Sequence, residues 1–251
     1  WPLKNWNHKA NGLMSYAKVL QVSSNVGMVN IMQNLSPSIY WDWLHRLGID
    51  QTPETDLPGA VSGQLRSKDL FVNQPIHQAV ASFGQGFSIT PLKLVQLHAL
   101  IANGGKLVIP HITKDFVEEK TSGESKDFSG EKQILSPEVT KIVLEWMESV
   151  VDKGSGIGVR TKNYRIGGKT GTADKSQNGQ NYSSKICSFV AILPVEDPRY
   201  VVVVAIDEPK REYAYGSTVA VPVAKKIIES LLVLEKIAPA NYKEKISSIQ
   251  N

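Results

Sequence analysis

A single cysteine, Cys187, among 251 residues rules out an internal disulfide, a Cys-x-x-Cys redox pair and a metal site built on several thiolates. Long apolar runs are missing as well. The longest, Tyr200 to Ile206 and Ile227 to Leu234, fall far short of the roughly 20 residues a membrane-spanning helix needs, and they read as a buried strand and a packed helix. Nor is there an excess of one charge: 28 basic residues face 24 acidic ones, and no basic run is interleaved with aromatics. That balance argues against a nucleic-acid partner. The chain opens on Trp1 with neither an initiator methionine nor a signal sequence, so the compartment is not legible directly and a longer parent protein is expected.

What is present is a globular composition, 41% apolar, enough at this length to bury one large core. From Met14 to Leu35 an imperfect helical stripe (Val19, Val22, Val26, Val29, Ile31, Met32) is interrupted at Ser23-Ser24-Asn25. Ser and Asn accept the unpaired amides of a helix start, so this step marks the end of one helix and the start of the next. Residues 50–75, rich in Pro, Gly, Asp and Ser, read as a surface excursion. Thr90-Pro91 predicts a helix start, closed by Asn103-Gly104-Gly105, with a short strand over Lys106 to Ile112. The charged stretch 118–132 is expected to be a mobile surface insertion. Ser136-Pro137-Glu138 opens a helix with Val139, Ile142, Val143, Trp146, Met147 and Val150 toward the core. Three strand-like runs follow (Tyr164 to Thr172, Lys185 to Leu193, Arg199 to Ile206), then a closing helix from Val219 to Leu234. Strands joined by short links favour an antiparallel sheet with helices on its faces, an α+β fold occupying 1–251 as one unit.

Gly168-Lys169-Thr170-Gly171-Thr172 carries the second chemical signal. A lysine on a glycine-flanked strand attracts a carboxylate and favours ionisation of nearby hydroxyls, while another backbone can approach closely. Thr170 and Thr172 share one face of such a strand because side chains alternate with a period of two. The strand edge can pair with a peptide. A phosphate-binding loop fits poorly: Asn163 stands where its first glycine belongs, and Ala173 to Ser184 reads as turn rather than helix.

Three segments in order, Val19 to Gly27 around Ser23-Ser24-Asn25, Ser82-Phe83-Gly84-Gln85-Gly86 with Thr90-Pro91, and Gly168 to Ala173, together resemble a class B penicillin-binding protein. Leu57-Pro58-Gly59 and Ala205-Ile206-Asp207-Glu208-Pro209 fit the same pattern. The resemblance covers nearly the whole chain outside 118–132. It implies a penicillin-binding protein/serine β-lactamase-like fold and a D,D-transpeptidase that cross-links peptidoglycan stem peptides and is acylated by β-lactam antibiotics. Ser23, Asn25 and Lys169 would be catalytic. Lys169, Thr170, Gly171 and Thr172 would bind the substrate or antibiotic carboxylate, with the Thr172 amide in the oxyanion hole. No metal or organic cofactor is implied. The implied place is the external face of a bacterial cytoplasmic membrane, beside a lipid-linked glycan polymerase partner.

The family's nucleophile lies in Ser-x-x-Lys, upstream of Ser-x-Asn. Two matches occur here, Ser15-x-x-Lys18 and Ser129-x-x-Lys132. The second falls in the hydrophilic insertion, where no dry pocket depresses the lysine. The first belongs to the helix leading into Ser-x-Asn, with Lys18 an ordinary surface charge. The nucleophile is therefore expected in a missing upstream part of the domain, whose helix would cover apolar surface left exposed here. A β-lactamase would need a carboxylate to activate water, for which Glu54 is the nearest offering. A β-lactam or muropeptide sensor and a non-catalytic scaffold of a cell-wall synthase remain alternatives.

Overall fold

The computed structural model describes residues 3–9, 11–113, 132–177 and 180–240. The expected insertion at 118–132 and the Ser129 match lie outside them, Lys132 excepted.

Short side chains set the helix starts. Ser15, Ser24, Ser36, Ser67, Thr90 and Ser136 each accept the amide three residues on, opening α1 (Tyr16–Gln21), α2 (Asn25–Met32), α3 (Pro37–Arg46), α4 (Lys68–Asn73), α6 (Pro91–Ala102) and α7 (Pro137–Lys153). α5 (Pro75–Ser82) instead begins on a proline without a side-chain cap. α8 (Val221–Leu234) closes the described chain.

A small two-stranded pair, β1 (Lys106–Leu107) with β2 (Lys132–Gln133), flanks α6. The main sheet is antiparallel in the order β3 (Gly167–Gln177), β4 (Gln180–Leu193), β5 (Tyr200–Asp207). Lys169 lies opposite Val190 and Thr172 opposite Cys187. One face of the sheet buries Phe189, Ala191, Leu193, Val202 and Val204 against Ala224, Ile228 and Leu232 of α8. The other packs Ile192 against Leu144 and Met147 of α7. Burying a side chain such as Ile228 contributes about 1.5–3 kcal/mol, so this layered half holds most of the apolar stabilisation. The helical half has a smaller core of Tyr40, Phe71 and Ala81, with the Tyr40 and Phe71 rings edge-to-face at 5.3 Å.

The expected antiparallel α+β arrangement is present, with four local corrections. The excursion at 50–75 contains α4, because Ser67 caps it and Phe71 enters the core. The strand expected over Lys106 to Ile112 stops at Leu107. Side chains take the backbone groups beyond: Gln96 donates to Val108 O, and the Asp56 carboxylate accepts from the Ile112 and Thr113 amides. The turn expected over Ala173 to Ser184 is largely ribbon, since β3 and β4 pair from Asp174↔Lys185 to Gln177↔Gln180, with a register shift between Asp174 and Ser176. On α7, Met147 and Val150 are core as expected, but Val139 and Ile142 are exposed, and the inward face runs through Thr140, Leu144, Met147 and Val151. Cys187 is fully buried on its strand. Among the described residues no helix is long and apolar enough to cross a membrane.

Candidate active site

β3 is one of the two outer strands of the main sheet, so its far side has no partner strand among the described residues. The pleat sends Lys169 to one face and Thr170 and Thr172 to the other. Across from Lys169, α1 ends at Gln21, Ser23 adopts a left-handed backbone (φ 54°), and Ser24 starts α2. The two segments, 146 residues apart, meet where Lys169 Nζ donates to Ser23 Oγ at 2.8 Å. The ammonium also donates to Thr170 O at 2.9 Å. Burial lowers the Lys169 pKa from 10.5 to about 8, because desolvation disfavours the charged form.

The remaining polar groups are placed by their neighbours. Asn25 Nδ2 donates to Lys4 O at 3.3 Å. Thr170 Oγ1 and Ser155 Oγ share a hydrogen bond of 2.6 Å. Ser155 follows Gly154, where a Cβ would collide with the carbonyl of Gln21, so glycine lets the end of α7 pass against α1. Thr172 Oγ1 accepts from the Gly216 amide at 3.0 Å and also bonds the Cys187 side chain. At Gly216 a Cβ would stand 2.5 Å from Ser188 O and 2.6 Å from Gly171 O, both backbone atoms. Only glycine allows the loop after β5 to lie this close to β3.

These groups line a cleft of about 970 Å³ with Ser23, Asn25, Lys169, Thr170, Gly171 and Thr172 all on its wall. That is at the upper end of the roughly 300–1,000 Å³ of small-molecule sites. At its mouth the Trp6 and Tyr215 rings approach to 6.1 Å, and Lys185 Nζ stands 5.0 Å from the Tyr215 ring centre. Trp6, on the cleft wall, is exposed. Every site residue expected from the sequence thus lies on one cleft, together with Ser82, Phe83 and Gln85. Sequence reasoning missed Asn5, Trp6, Ser155, Tyr215 and Gly216. Gly154-Ser155-Gly156 just past the predicted α7 was a readable turn signal; Asn5 had none.

Ser15 caps α1 and Lys18 Nζ donates to Gln21 Oε1 at 2.5 Å; both residues are exposed and neither lines the cleft. Glu54 is exposed and off the cleft. Gly167 to Thr170 is strand, followed by strand, which removes the phosphate-loop reading. Among the described residues no cluster of three His, Cys, Asp or Glu is placed to hold a metal ion.

Serine and lysine side chains thus line a cleft at the open edge of an antiparallel sheet. The chain belongs to the penicillin binding protein transpeptidase domain family, which it matches over residues 1–229. It is 39% identical over 247 residues to the peptidoglycan D,D-transpeptidase FtsI homolog of Mesostigma viride, an alignment covering 92% of this chain and 41% of that protein. With stage V sporulation protein D of Bacillus subtilis it shares 35% identity over 233 residues, covering 92% and 36%. The apo transpeptidase domain of Burkholderia pseudomallei penicillin-binding protein 3 superposes with a TM-score of 0.79 at 30% identity, covering 92% and 67%. Penicillin-binding protein 3 of Mycobacterium tuberculosis, complexed with aztreonam, gives 0.80 at 27%, covering 90% and 52%. The chain spans less than half the length of the curated relatives named here.

Proposed function

We propose that this cleft serves D,D-acyl transfer between peptidoglycan stem peptides through a serine acyl-enzyme, and that β-lactams enter it as substrate mimics. The contact of Lys169 Nζ with Ser23 Oγ, 2.8 Å long and beside the open edge of β3, carries this reading. Acyl transfer needs a nucleophile, a proton path, oxyanion donors and a strand to align the peptide. Here the β3 edge aligns the peptide by strand addition. Lys169, Thr170 and Thr172 hold its carboxylate, and at Gly171 between the threonines a Cβ would stand 2.4 Å from Ser188 Oγ. The Thr172 amide faces the developing oxyanion. Ser23 passes a proton toward the leaving amine, and Asn25 holds the substrate amide.

No Ser-x-x-Lys pair stands in the cleft among the described residues, so the nucleophile is assigned to a segment outside them. Glu54, the carboxylate a lactamase reading would use, lies off the cleft, and Asp174 is the carboxylate that lines it among the described residues. Aztreonam in the similar Mycobacterium structure supports β-lactam binding. The parent protein is assigned to the external face of a bacterial cytoplasmic membrane, with a lipid-linked glycan polymerase as partner.

The test is intact-mass analysis after exposure to benzylpenicillin, on this chain and on the same domain extended upstream through its Ser-x-x-Lys. A penicilloyl adduct on the extended protein alone is expected. An adduct on this chain at Ser15 would overturn the assignment of the nucleophile. No adduct on either would leave a scaffold rather than an enzyme.

A further inference from the structure

Asn5 is 5% exposed, and both polar atoms of its side chain are engaged. Its Oδ1 accepts from Ser24 Oγ at 3.0 Å and from the Val26 amide at 3.2 Å, while Nδ2 donates to Lys9 O at 2.8 Å. Its neighbours reach the same turn: Lys4 O accepts from Asn25 Nδ2 at 3.3 Å, and Trp6 Nε1 donates to Val22 O at 3.4 Å. Three consecutive residues, 4 to 6, therefore grip the turn 22–26 that presents Ser23 and Asn25.

The turn requires an external hold. Ser23 is a non-glycine residue at φ 54°, a conformation that persists only where the surroundings over-determine it. Two backbone bonds tie it from within, Ser23 N to Leu20 O at 3.2 Å and Ser24 N to Val19 O at 3.0 Å. Ser24, 1% exposed, already accepts the Gly27 amide on its hydroxyl oxygen, and its own proton goes to Asn5. Without Asn5, a buried hydroxyl proton and the Val26 amide both lose their acceptor. Shifting the turn is the relief open to them.

We propose that Asn5 is the positioning residue of the Ser-Ser-Asn element: it holds Ser23 Oγ against Lys169 Nζ and Asn25 on the cleft wall without itself touching substrate. The kinetic consequence rests on the transferase reading above; the structural one does not. Lys169 and the threonines stand on β3, which Asn5 does not brace, so ligand capture should survive while the chemical step suffers.

The experiment uses the domain extended through its nucleophile and follows benzylpenicillin acylation resolved into capture and chemical step, with amide hydrogen exchange at Ser24 and Val26 as a second readout. Asn5→Ala is expected to slow the chemical step at least tenfold with capture changed less than threefold, and to speed exchange at both amides. Asn5→Asp keeps an acceptor for both donors but loses the bond to Lys9 O, and is expected to restore the chemical step and the slow exchange in part. Asn5→Gln, soluble and polar but displaced by one methylene, is expected to fall between, and it carries the test if Asn5→Ala does not fold. A folded Asn5→Ala or Asn5→Gln with wild-type chemistry and wild-type exchange would overturn the proposal. If the unaltered protein is not acylated at all, the transferase reading has failed, and exchange at Val26 still decides whether Asn5 holds the turn.

Discussion

The sheet wall of the cleft is held by a register of backbone bonds laid over buried apolar side chains, whereas the facing wall is a left-handed turn held largely by individual polar side chains. Lys169 to Thr172 inherit their spacing from the ladder with β4, beneath which Phe189 and Cys187 are fully buried. Ser23 to Asn25 inherit theirs from Ser24, Asn5 and the carbonyl of Lys4. A ladder averages over many bonds, so a single side chain rarely displaces it. A turn resting on a few bonds is displaced by one substitution, and there the cleft is easiest to mistune.

The sheet wall rests on the apolar side chains below it. Phe189 is fully buried, and its ring fills space that Gly156 and Gly168 leave open, since a Cβ on either would stand 3.2 Å or 2.6 Å from it. Phe189→Ala is expected to cost about 3–5 kcal/mol of folding stability, as for other buried aromatic truncations. Urea denaturation measures it. A loss under about 1 kcal/mol would mean that the ladder stands without its apolar support.

The contact between the walls should separate function from stability. In the domain extended through its nucleophile, Lys169→Met removes the cation proposed to hold the carboxylate and is expected to lower acylation by about 100-fold or more, the size of losing an important electrostatic donor. Stability should move the other way. With its folded pKa near 8 against an ordinary 10.5, the folded chain binds fewer protons than the unfolded chain between those values, so this lysine's contribution improves as pH rises through that window. Below pH 8 the burial cost is fully present, and the variant should melt above the wild type at pH 7. The gap should narrow toward pH 10. For the same reason, acylation by carboxylate-bearing β-lactams should fall as pH rises through about 8; a rise there would make Lys169 a base rather than a carboxylate anchor.

The two walls also differ in how far the sequence reveals them. Thr90-Pro91, Ser136-Pro137 and the three apolar strand runs mark their elements because caps and alternation are local signals. Lys169, Thr170 and Thr172 could be placed on alternate faces for the same reason. Ser36-Pro37 carried the same cap signal for α3 and was overlooked. The ribbon beyond Ala173 was hidden because its strands, Asp174 to Gln177 against Gln180 to Lys185, are almost wholly polar and show no apolar alternation. Asn5 was hidden more deeply. Its bonds to Ser24 and Val26 span 19 and 21 positions, and one polar side chain leaves no period to read.

The finest test of the turn wall compares two substitutions at one backbone angle. Ser23 at φ 54° bears the cost of placing a Cβ in left-handed space, and glycine does not. Ser23→Gly and Ser23→Ala both delete the hydroxyl that meets Lys169, so both should lose acylation to the same extent. Their stabilities should part by about 1 kcal/mol in favour of glycine, less the extra freedom glycine gives the unfolded chain. Paired melting curves resolve that difference. If the alanine variant proves as stable as the glycine one, the left-handed backbone at Ser23 is not strained. The grip of residues 4 to 6 would then be needed to aim Ser23 and Asn25, not to hold the turn against relaxation.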